Sequence, residues 1–236
     1  MSEPYRADNL LDRVGDAGTR QLHYDQEMRR ERAILDRRLP LAGGDVLSVG
    51  CGEHPGRHLF PRPEFSMIGV DLDAELIASL VDSGELDDGT VARAGELPYE
   101  PGSFDVILYR LVLHHVVFQG PLRPVFEESA RLLRPGGALV AIEPGLWHPV
   151  GAGLALANRA GLGPAVHGTP DDIPLSPRAL TREARAAGLE PELHAVTYGW
   201  RRLPSAAQRA VHTIDGAGSR PRLARFGHTL MLIARG

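Results

Sequence analysis

Short apolar runs alternate with segments of helical periodicity along most of this chain. The apolar runs predict strands at 45–49, 65–70, 90–93, 104–108, 138–142, 193–198 and 228–234. The intervening segments predict helices at 21–39, 74–81, 121–133, 176–187 and 205–214. This alternation is typical of an α/β domain with a parallel sheet wound on both faces. No crossover repeat is left for the last strands, so we expect an antiparallel hairpin to close the sheet.

Two regions depart from the alternation. Residues 1–20 lack periodicity and are expected to form an arm with a short helix. The helix that follows the arm either packs on the edge of the core or covers the turn after the first strand. Residues 144–174 are rich in Gly and Pro and contain Trp147, His148 and His167. We interpret them as an insertion over the strand ends, where open α/β sheets bind ligands.

The composition suits one soluble globular domain, since the chain has 236 residues, of which 43% are hydrophobic and 24% charged. A net charge of −4 and the lack of a basic stripe argue against nucleic acid as a partner. The single cysteine excludes an internal disulfide and a cysteine-based zinc site. No signal peptide and no apolar stretch of roughly 18 residues is visible. We therefore expect a cytoplasmic protein with no membrane partner.

The first predicted strand enters a glycine turn at residues 50–52, and the second ends in Asp71. This is the layout of the first half of a nucleotide-binding βαβ unit. Glycines let the backbone approach a ligand, and the acid accepts hydrogen bonds from ribose hydroxyls. Prolines in the connection leave room for little more than one or two helical turns, around 56–60. A second turn, at 134–137, is expected to stop the preceding helix.

Four signals occur in register between residues 45 and 144. They are the glycine turn, the acid at Asp71, LPYEPGSFD with LVLHHV around strand 104–108, and RLLRPGGALVAIEP at 131–144. Together they resemble the class I S-adenosylmethionine-dependent methyltransferases, and among these the small-molecule group called methyltransferase type 11. The resemblance implies a Rossmann-like, doubly wound, seven-stranded α/β sheet. The sheet would be mostly parallel with an antiparallel C-terminal hairpin, plus a helical N-terminal arm and a lid insertion.

The resemblance is close over 45–144, looser at the C-terminal hairpin and slight in the N-terminal arm. It implies a single methyltransferase domain over 1–236. Within that domain 1–40 would be a helical arm or lid and 45–144 the cofactor-binding core, while 144–175 and 199–227 would be acceptor-side insertions. The implied activity is S-adenosylmethionine-dependent methyl transfer, by in-line displacement, to an oxygen, nitrogen or carbon of a small molecule, with secondary metabolism as one setting.

The resemblance also implies a cofactor site at the carboxyl ends of the strands, formed by Ser48, Gly50, Cys51, Gly52, Asp71, Leu72, Ala94, Gly95, Tyr109 and Arg110. Residues 50–52 would lie against the methionine portion of S-adenosylmethionine. Asp71 would accept from both ribose hydroxyls, with Leu72 under the adenine and residues 94–95 along its edge. The Tyr109 carbonyl would accept from the cofactor's ammonium group.

Three positions depart from the family pattern. Ser48 stands where the family usually has an acid, and Glu53 is a candidate replacement for part of it. His54 stands at the third glycine of the turn. Arg93 replaces the acid that accepts the adenine amino group, and a guanidinium cannot accept a hydrogen bond. Arg110 would bind the cofactor carboxylate or an anionic acceptor, or pair with an acid.

Methyl transfer requires the acceptor to be placed against the methyl group, and a base only if the acceptor must lose a proton. Candidate bases are His115, which the LHH pattern favours, then His114, His148 and Glu143. Trp147 either stacks on the acceptor or packs within the lid. His, Asp and Glu fall at no metal-ligand spacing, so no metal site is predicted and metal-assisted transfer is disfavoured.

Two alternatives stay open from the sequence. A nicotinamide-dependent oxidoreductase requires a third glycine where Pro55 stands, and proline cannot donate to a pyrophosphate. A non-methylating catalyst or binding protein on the same scaffold is compatible with the three departures. The expected partner is a small-molecule acceptor, but neither its identity nor the oligomeric state, a homodimer included, follows from the sequence.

Overall fold

The computed structural model describes residues 10–11, 17–167, 172–215 and 221–236. Its strands are β1 (Gly44–Val49), β2 (Phe65–Asp71), β3 (Asp88–Val91), β4 (Phe104–Arg110), β5 (Leu133–Pro144), β6 (Glu190–Thr197) and β7 (Thr229–Arg235). Its helices are α1 (Ala17–Arg38), α2 (Ala74–Asp82), α3 (Leu113–Gln119), α4 (Arg123–Leu132), α5 (Pro149–Arg159), α6 (Gly163–His167), α7 (Pro177–Ala186), α8 (Ser205–Asp215) and α9 (Pro221–Ala224). Most of the predicted arm at 1–20 lies outside the described residues, and residues 216–220, between α8 and α9, do so too.

The seven strands form one sheet in the order β3-β2-β1-β4-β5-β7-β6. β7 is antiparallel to both β5 and β6, and the other neighbouring pairs are parallel. The predicted doubly wound sheet with an antiparallel C-terminal hairpin is therefore confirmed. The chain winds outward in both directions from β1 and β4, and a ligand crevice is expected where the winding reverses, at the carboxyl ends of these two strands.

The central strands are buried on both faces because apolar side chains point alternately to each side. Val46 and Leu47 are both 0% exposed, yet they belong to different hydrophobic clusters. Leu47 shares its cluster with Phe126 of α4 and Leu180 of α7, while Val46 shares its own with Ile34 of α1. Two packed layers of this kind hold the strand ends in fixed positions for a site.

Three parts of the chain differ from the sequence-based expectation. The connection at 56–60, predicted to contain one or two turns of helix, forms isolated turns and no helix. Residues 134–137, predicted as a turn before the strand, belong to β5 itself. The pairing of β4 with β5 shifts register between Phe104 and Val106, where these residues are accommodated. Four short helices, α3, α5, α6 and α9, lie where no helix was predicted. A helix of four to eleven residues has too few turns to show a clear hydrophobic period.

A side chain caps the start of α2. Asp73 has an extended backbone, and its carboxylate accepts hydrogen bonds from the backbone N–H groups of Glu75 and Leu76. In the described part of the chain, no helix has the length and apolar character needed to cross a membrane.

Candidate active site

The turn after β1 depends on two glycines for different reasons. Gly50 and Gly52 have φ values of +62° and +48°, in the left-handed region that side chains rarely adopt. A Cβ on Gly50 would lie 2.2 Å from Cγ2 of Val112, whereas a Cβ on Gly52 would meet nothing within 4 Å. Gly50 is thus required for packing, while Gly52 faces open space where a ligand can approach the backbone.

Asp71 ends β2 beside this turn. One oxygen of its carboxylate, Oδ2, accepts a hydrogen bond from the Gly52 N–H at 3.0 Å, and Oδ1 accepts from the Leu72 N–H at 2.7 Å. The Asp73 N–H also donates to Oδ1, over a longer 3.3 Å. Oδ2 therefore keeps a lone pair for one hydroxyl of a ligand, while a hydroxyl at Oδ1 would replace the long bond from Asp73. The structure therefore brings together Asp71 and the glycine turn, which are separate in sequence.

Apolar side chains are exposed at the carboxyl ends of β2, β3 and β4, on the two sides of β1. Leu72, Val91 and Leu111 follow or end β2, β3 and β4, and their exposed fractions are 61%, 55% and 42%. Residues 94–95, predicted to border the adenine, are half-buried just after β3. A line of exposed apolar side chains with a carboxylate beside it is typical of a surface that a ligand with a flat apolar part covers.

A cavity of about 760 Å³ adjoins the ends of β1 and β4. Its walls include Tyr24 and Met28 of α1, His54 and Pro55 after the glycine turn, and Leu111 after β4. α1 also packs on the core through Ile34. α1 therefore packs on the core, as the edge-helix interpretation requires, while its role as a cover over the turn stays a prediction.

One buried carboxylate connects α1 to the strand ends. Glu31, 1% exposed, accepts from Arg110 Nε at 3.2 Å and from Arg110 Nη2 at 3.3 Å. His58 Nε2 lies 3.0 Å from the same carboxylate. Of the roles open to Arg110, pairing with an acid is the one that the structure shows. A role in cofactor binding stays a prediction.

The residues that depart from the family pattern have different environments. Ser48 is buried, and its hydroxyl donates to the Pro55 carbonyl at 2.8 Å, which fixes the end of the glycine turn. The Ser48 side chain therefore holds the turn in place and is not exposed to a ligand. His54 and Arg93 are both exposed.

Glu143 organises the segment that contains the LHH pattern. Its carboxylate is 0% exposed and accepts from the backbone N–H groups of Val112 at 3.0 Å and Leu113 at 2.7 Å. His114 Nδ1 lies 2.7 Å from the same carboxylate, and the His114 N–H also donates to it. Glu143 therefore anchors the start of α3 and fixes the ring of His114. The sequence singled it out only as a candidate base, because its partners lie about thirty residues away.

The two other predicted catalytic histidines lie on different elements. His115 is half-buried, and its ring centroid is 4.1 Å from that of His114. His148 Nδ1 accepts from the Val150 N–H at 3.3 Å at the start of α5, and the ring also bonds the backbone of Tyr198. Burial lowers the pKa of His148. The structure thus groups His114 and His115 but gives His148 a capping role.

Two further side chains of the predicted site are held inside the protein. Tyr109 is fully buried, with its hydroxyl 2.8 Å from Ser129 Oγ, and burial raises its pKa. Only its backbone is available for the predicted cofactor contact. Burial, reinforced by Asp71, raises the pKa of the Cys51 thiol to about 12. Cys51 is therefore protonated at neutral pH and is not a nucleophile.

Trp147 lies between arginines at the start of the predicted insertion. The Arg178 guanidinium is 4.9 Å and that of Arg225 5.9 Å from its ring centroid, and Phe226 lies 6.1 Å away. These contacts show packing of Trp147 within the segment above the strands. Stacking on an acceptor stays a prediction.

The fold and this geometry define a nucleoside-binding α/β protein with its crevice at the ends of β1, β2 and β4. A family model described as a methyltransferase domain matches residues 47–141. A ubiquinone biosynthesis O-methyltransferase of Thiobacillus denitrificans is 33% identical over 177 residues, which cover 70% of this chain and 72% of that protein. The chain belongs to the class I S-adenosylmethionine-dependent methyltransferases.

Other relatives match over shorter stretches. A 27-O-demethylrifamycin SV methyltransferase of Amycolatopsis mediterranei is 36% identical over 125 residues, 49% of this chain and 44% of that protein. A tRNA (carboxymethyluridine(34)-5-O)-methyltransferase of Arabidopsis thaliana is 33% identical over 96 residues, 41% of this chain and 23% of that protein. The chain thus spans less than half the length of these two relatives.

A solved structure confirms the fold over nearly the whole chain. A methyltransferase of Thermotoga maritima, described as a possible histamine N-methyltransferase, has a TM-score of 0.65 at 15% identity. The match covers 92% of this chain and 90% of that one. A geranyl diphosphate C-methyltransferase of Streptomyces coelicolor has a TM-score of 0.59 at 19% identity, covering 88% and 75% of the two chains.

The crevice fits the cofactor of this family. The open space before Gly52 leaves room for the methionine portion of the cofactor, and Leu72 offers an exposed apolar surface to a base. Oδ2 of Asp71, which among the described residues accepts only from Gly52, has a lone pair for a ribose hydroxyl. S-adenosylmethionine is therefore the cofactor that the family and the residues of the crevice indicate.

Proposed function

We propose that this protein transfers the methyl group of S-adenosylmethionine to a hydroxyl oxygen of a small molecule. The single observation that carries the proposal is the crevice formed by Gly52, Asp71 and Leu72 in a chain of this family. Oxygen is favoured because the T. denitrificans relative is named an O-methyltransferase, as is a nocamycin O-methyltransferase of Saccharothrix syringae, 33% identical over 118 residues. The net charge of −4 offers no attraction to the phosphates of a nucleic acid.

The protein's part in this reaction is to bind and orient. When bound, S-adenosylmethionine supplies an electrophilic methyl group on a sulfonium sulfur. Asp71 would accept from the two ribose hydroxyls, and the Tyr109 carbonyl would accept from the ammonium group. As the acceptor oxygen bonds to the methyl carbon, the carbon–sulfur bond breaks and the acceptor's proton leaves to a base or to solvent. Holding the reacting atoms in line supplies most of the acceleration in such a displacement.

His115 is the proposed base. Its neighbour His114 is fixed by Glu143 and acts as a positioning residue, while His148 caps α5. We expect His115→Asn to lower kcat by about a hundredfold, within the range for loss of a general base. The cofactor Kd is expected to stay unchanged, because His115 is on the acceptor side. Turnover measurements with titration calorimetry would check both values, and restoration of rate by added imidazole would separate a chemical role from a structural one. An unchanged kcat would contradict the assignment.

Gly52 allows a direct test of the crevice itself. We expect Gly52→Ala to weaken binding of the cofactor or its demethylated product at least tenfold, because a Cβ would enter the open space before the turn. Alanine at a positive φ also costs about 1–2 kcal/mol of stability. Gly102 is a matched control, since it has a φ of +68° with nothing within 4 Å of its Cβ. Gly102→Ala is expected to lose similar stability and bind normally.

Calorimetry and thermal unfolding on the three proteins measure these quantities. Equal affinity in Gly52→Ala and the unsubstituted protein would place the cofactor elsewhere. Failure of the unsubstituted protein to bind either compound would overturn the proposed function. Transfer of isotope-labelled methyl groups to hydroxyl-bearing acceptors then tests the reaction.

The alternatives lead to different outcomes. An oxidoreductase is less well supported, because the residues that follow the glycine turn form turns up to β2 and offer no helix N-terminus to a pyrophosphate. A change in NADH fluorescence on mixing would revive it. Recovery of intact S-adenosylmethionine after complete substrate turnover would favour a non-methylating catalyst on this scaffold.

A further inference from the structure

A second group of polar side chains lies where β7 begins, beside the carboxyl end of β5. His23 and Glu27 stand one helical turn apart on α1, and His228 directly precedes β7. One nitrogen of each histidine and one oxygen of Glu27 all lie within 4.8 Å of one another. We propose that these three residues bind a divalent transition-metal ion, with Zn²⁺ as the best match.

The ligand set and its spacing fit this ion. Two imidazoles and one carboxylate form a common catalytic zinc set, with bonds of about 2.0–2.2 Å. Tetrahedral ligand atoms at such bond lengths are roughly 3.4 Å apart. His23 Nε2 and Glu27 Oε2 are already 3.7 Å apart. Side-chain rotations that bring the most distant atoms at most about 1.4 Å closer would complete the site.

The surroundings favour ligation over simple packing. His23 is 1% exposed, and its Nδ1 has no hydrogen-bond partner among the described residues, so the ring has an unused polar atom in a buried position. The Thr229 hydroxyl donates to Oε1 of Glu27 and so orients the carboxylate. Hydrogen bonds of this kind commonly fix the direction of a metal ligand.

Buried acidic groups in this region also suit a cation. Glu27 is 6% exposed, and Glu31, one helical turn further along α1, is 1% exposed. Arg110 and His58 face Glu31. A bound cation would compensate the buried carboxylate of Glu27.

Of the described residues, His23, Glu27 and His228 are the ones that offer ligand atoms all within 4.8 Å of one another. The His148 ring centroid is 5.1 Å from that of His228, but this ring bonds the Val150 N–H and the Tyr198 backbone. The His212 ring centroid is 5.8 Å from that of His23; its Nδ1 faces Asp215, and its Nε2 is a buried nitrogen outside the group of three. Three protein ligands leave at least one coordination position for an oxygen. Because β7 pairs with the carboxyl end of β5 here, that position is on the acceptor side of the sheet. An acceptor oxygen there rests on the proposed function, whereas metal binding does not.

The test is a zinc titration of the full chain, purified with a histidine-free tag, stripped with a chelator and free of cofactor and acceptor. We expect one Zn²⁺ per chain in competition with a chromophoric chelator. Loss of one ligand is expected to weaken binding at least tenfold in His23→Ala, His228→Ala and Glu27→Gln. His194→Ala is the control, because His194 is a half-buried histidine of β6 that pairs with Glu192 at 3.3 Å and lies outside the cluster.

Two further readouts keep the outcome clear. Circular dichroism shows whether each variant folds, and Glu27→Gln, which keeps the side-chain size, decides the question if a histidine variant does not. Co²⁺ bound to the unsubstituted chain should give visible absorption bands typical of tetrahedral nitrogen and oxygen ligation. The proposal is overturned if the chain binds no stoichiometric Zn²⁺, or if Glu27→Gln binds as tightly as His194→Ala. Neither result bears on cofactor binding, so failure here is distinct from failure of the methyltransferase proposal.

Discussion

Replacement of Asp71 by alanine is expected to weaken binding of S-adenosylmethionine by about a hundredfold or more. Hydrogen bonds to a charged group contribute about 1.5–3 kcal/mol each, and Asp71 would make two to the ribose. The loss of about 3 kcal/mol corresponds to a factor of about a hundred in Kd. The Gly52 N–H would also lose its acceptor, which loosens the turn against which the cofactor lies.

Titration calorimetry with the cofactor and its demethylated product measures this effect. Asp82→Ala is a suitable control, because Asp82 is exposed at the end of the neighbouring α2 and should bind normally. Asp71→Asn is expected to fall between the two, since an amide oxygen can accept from one hydroxyl but has no charge. Normal affinity in Asp71→Ala would show that the ribose lies elsewhere.

Glu143→Ala is expected to lower the melting temperature by roughly 8–16 °C, because about 4 kcal/mol of stability is lost in a domain of this size. The carboxylate is fully buried and serves the start of α3 together with His114. Each buried donor left without an acceptor costs about 1–3 kcal/mol. Partial rearrangement of α3 would satisfy some of these donors, so the expected loss is about 4 kcal/mol and not the sum over all of them.

Thermal and denaturant unfolding would measure the loss. Glu190→Ala, at an exposed position of β6, should melt close to the unsubstituted protein. Glu143→Gln should be intermediate, because its amide oxygen can still accept while its amide nitrogen would face N–H donors. A melting temperature of Glu143→Ala equal to that of Glu190→Ala would show that α3 does not depend on this carboxylate.

The elements that were correctly predicted have local signals. β1 and β4 are continuous apolar runs bounded by turn residues, and Asp73 caps α2 through N–H groups two and three positions away. Asp71 was placed beside the glycine turn because its distance from that turn is characteristic of this kind of unit, and its contact with a ribose stays a prediction. In each case, the residues that determine the structure are close together in sequence.

The features that could not be predicted depend on distant partners. Arg110 pairs with Glu31 across 79 positions, and Glu143 anchors a segment about thirty positions earlier. The hydroxyl of Ser48 has a partner only seven positions away, but the bond forms because the glycine turn brings the Pro55 carbonyl back to β1. The cluster of His23, Glu27 and His228 has one helical spacing and one ligand from the opposite end of the chain, so spacing alone does not identify it.

The bond between Thr229 and Glu27 joins residues 202 positions apart. During synthesis on the ribosome, the strands from β1 to β5 can pair with one another while the last third of the chain is still absent. The hydrogen-bonded ladders among these five strands involve no residue beyond β5. The cluster of His23, Glu27 and His228 cannot assemble until β7 has been made and has inserted beside β5. Contacts with such large separation are slow to form. This end of the sheet is therefore the last part to acquire its native arrangement, and loss of either chain end would remove it.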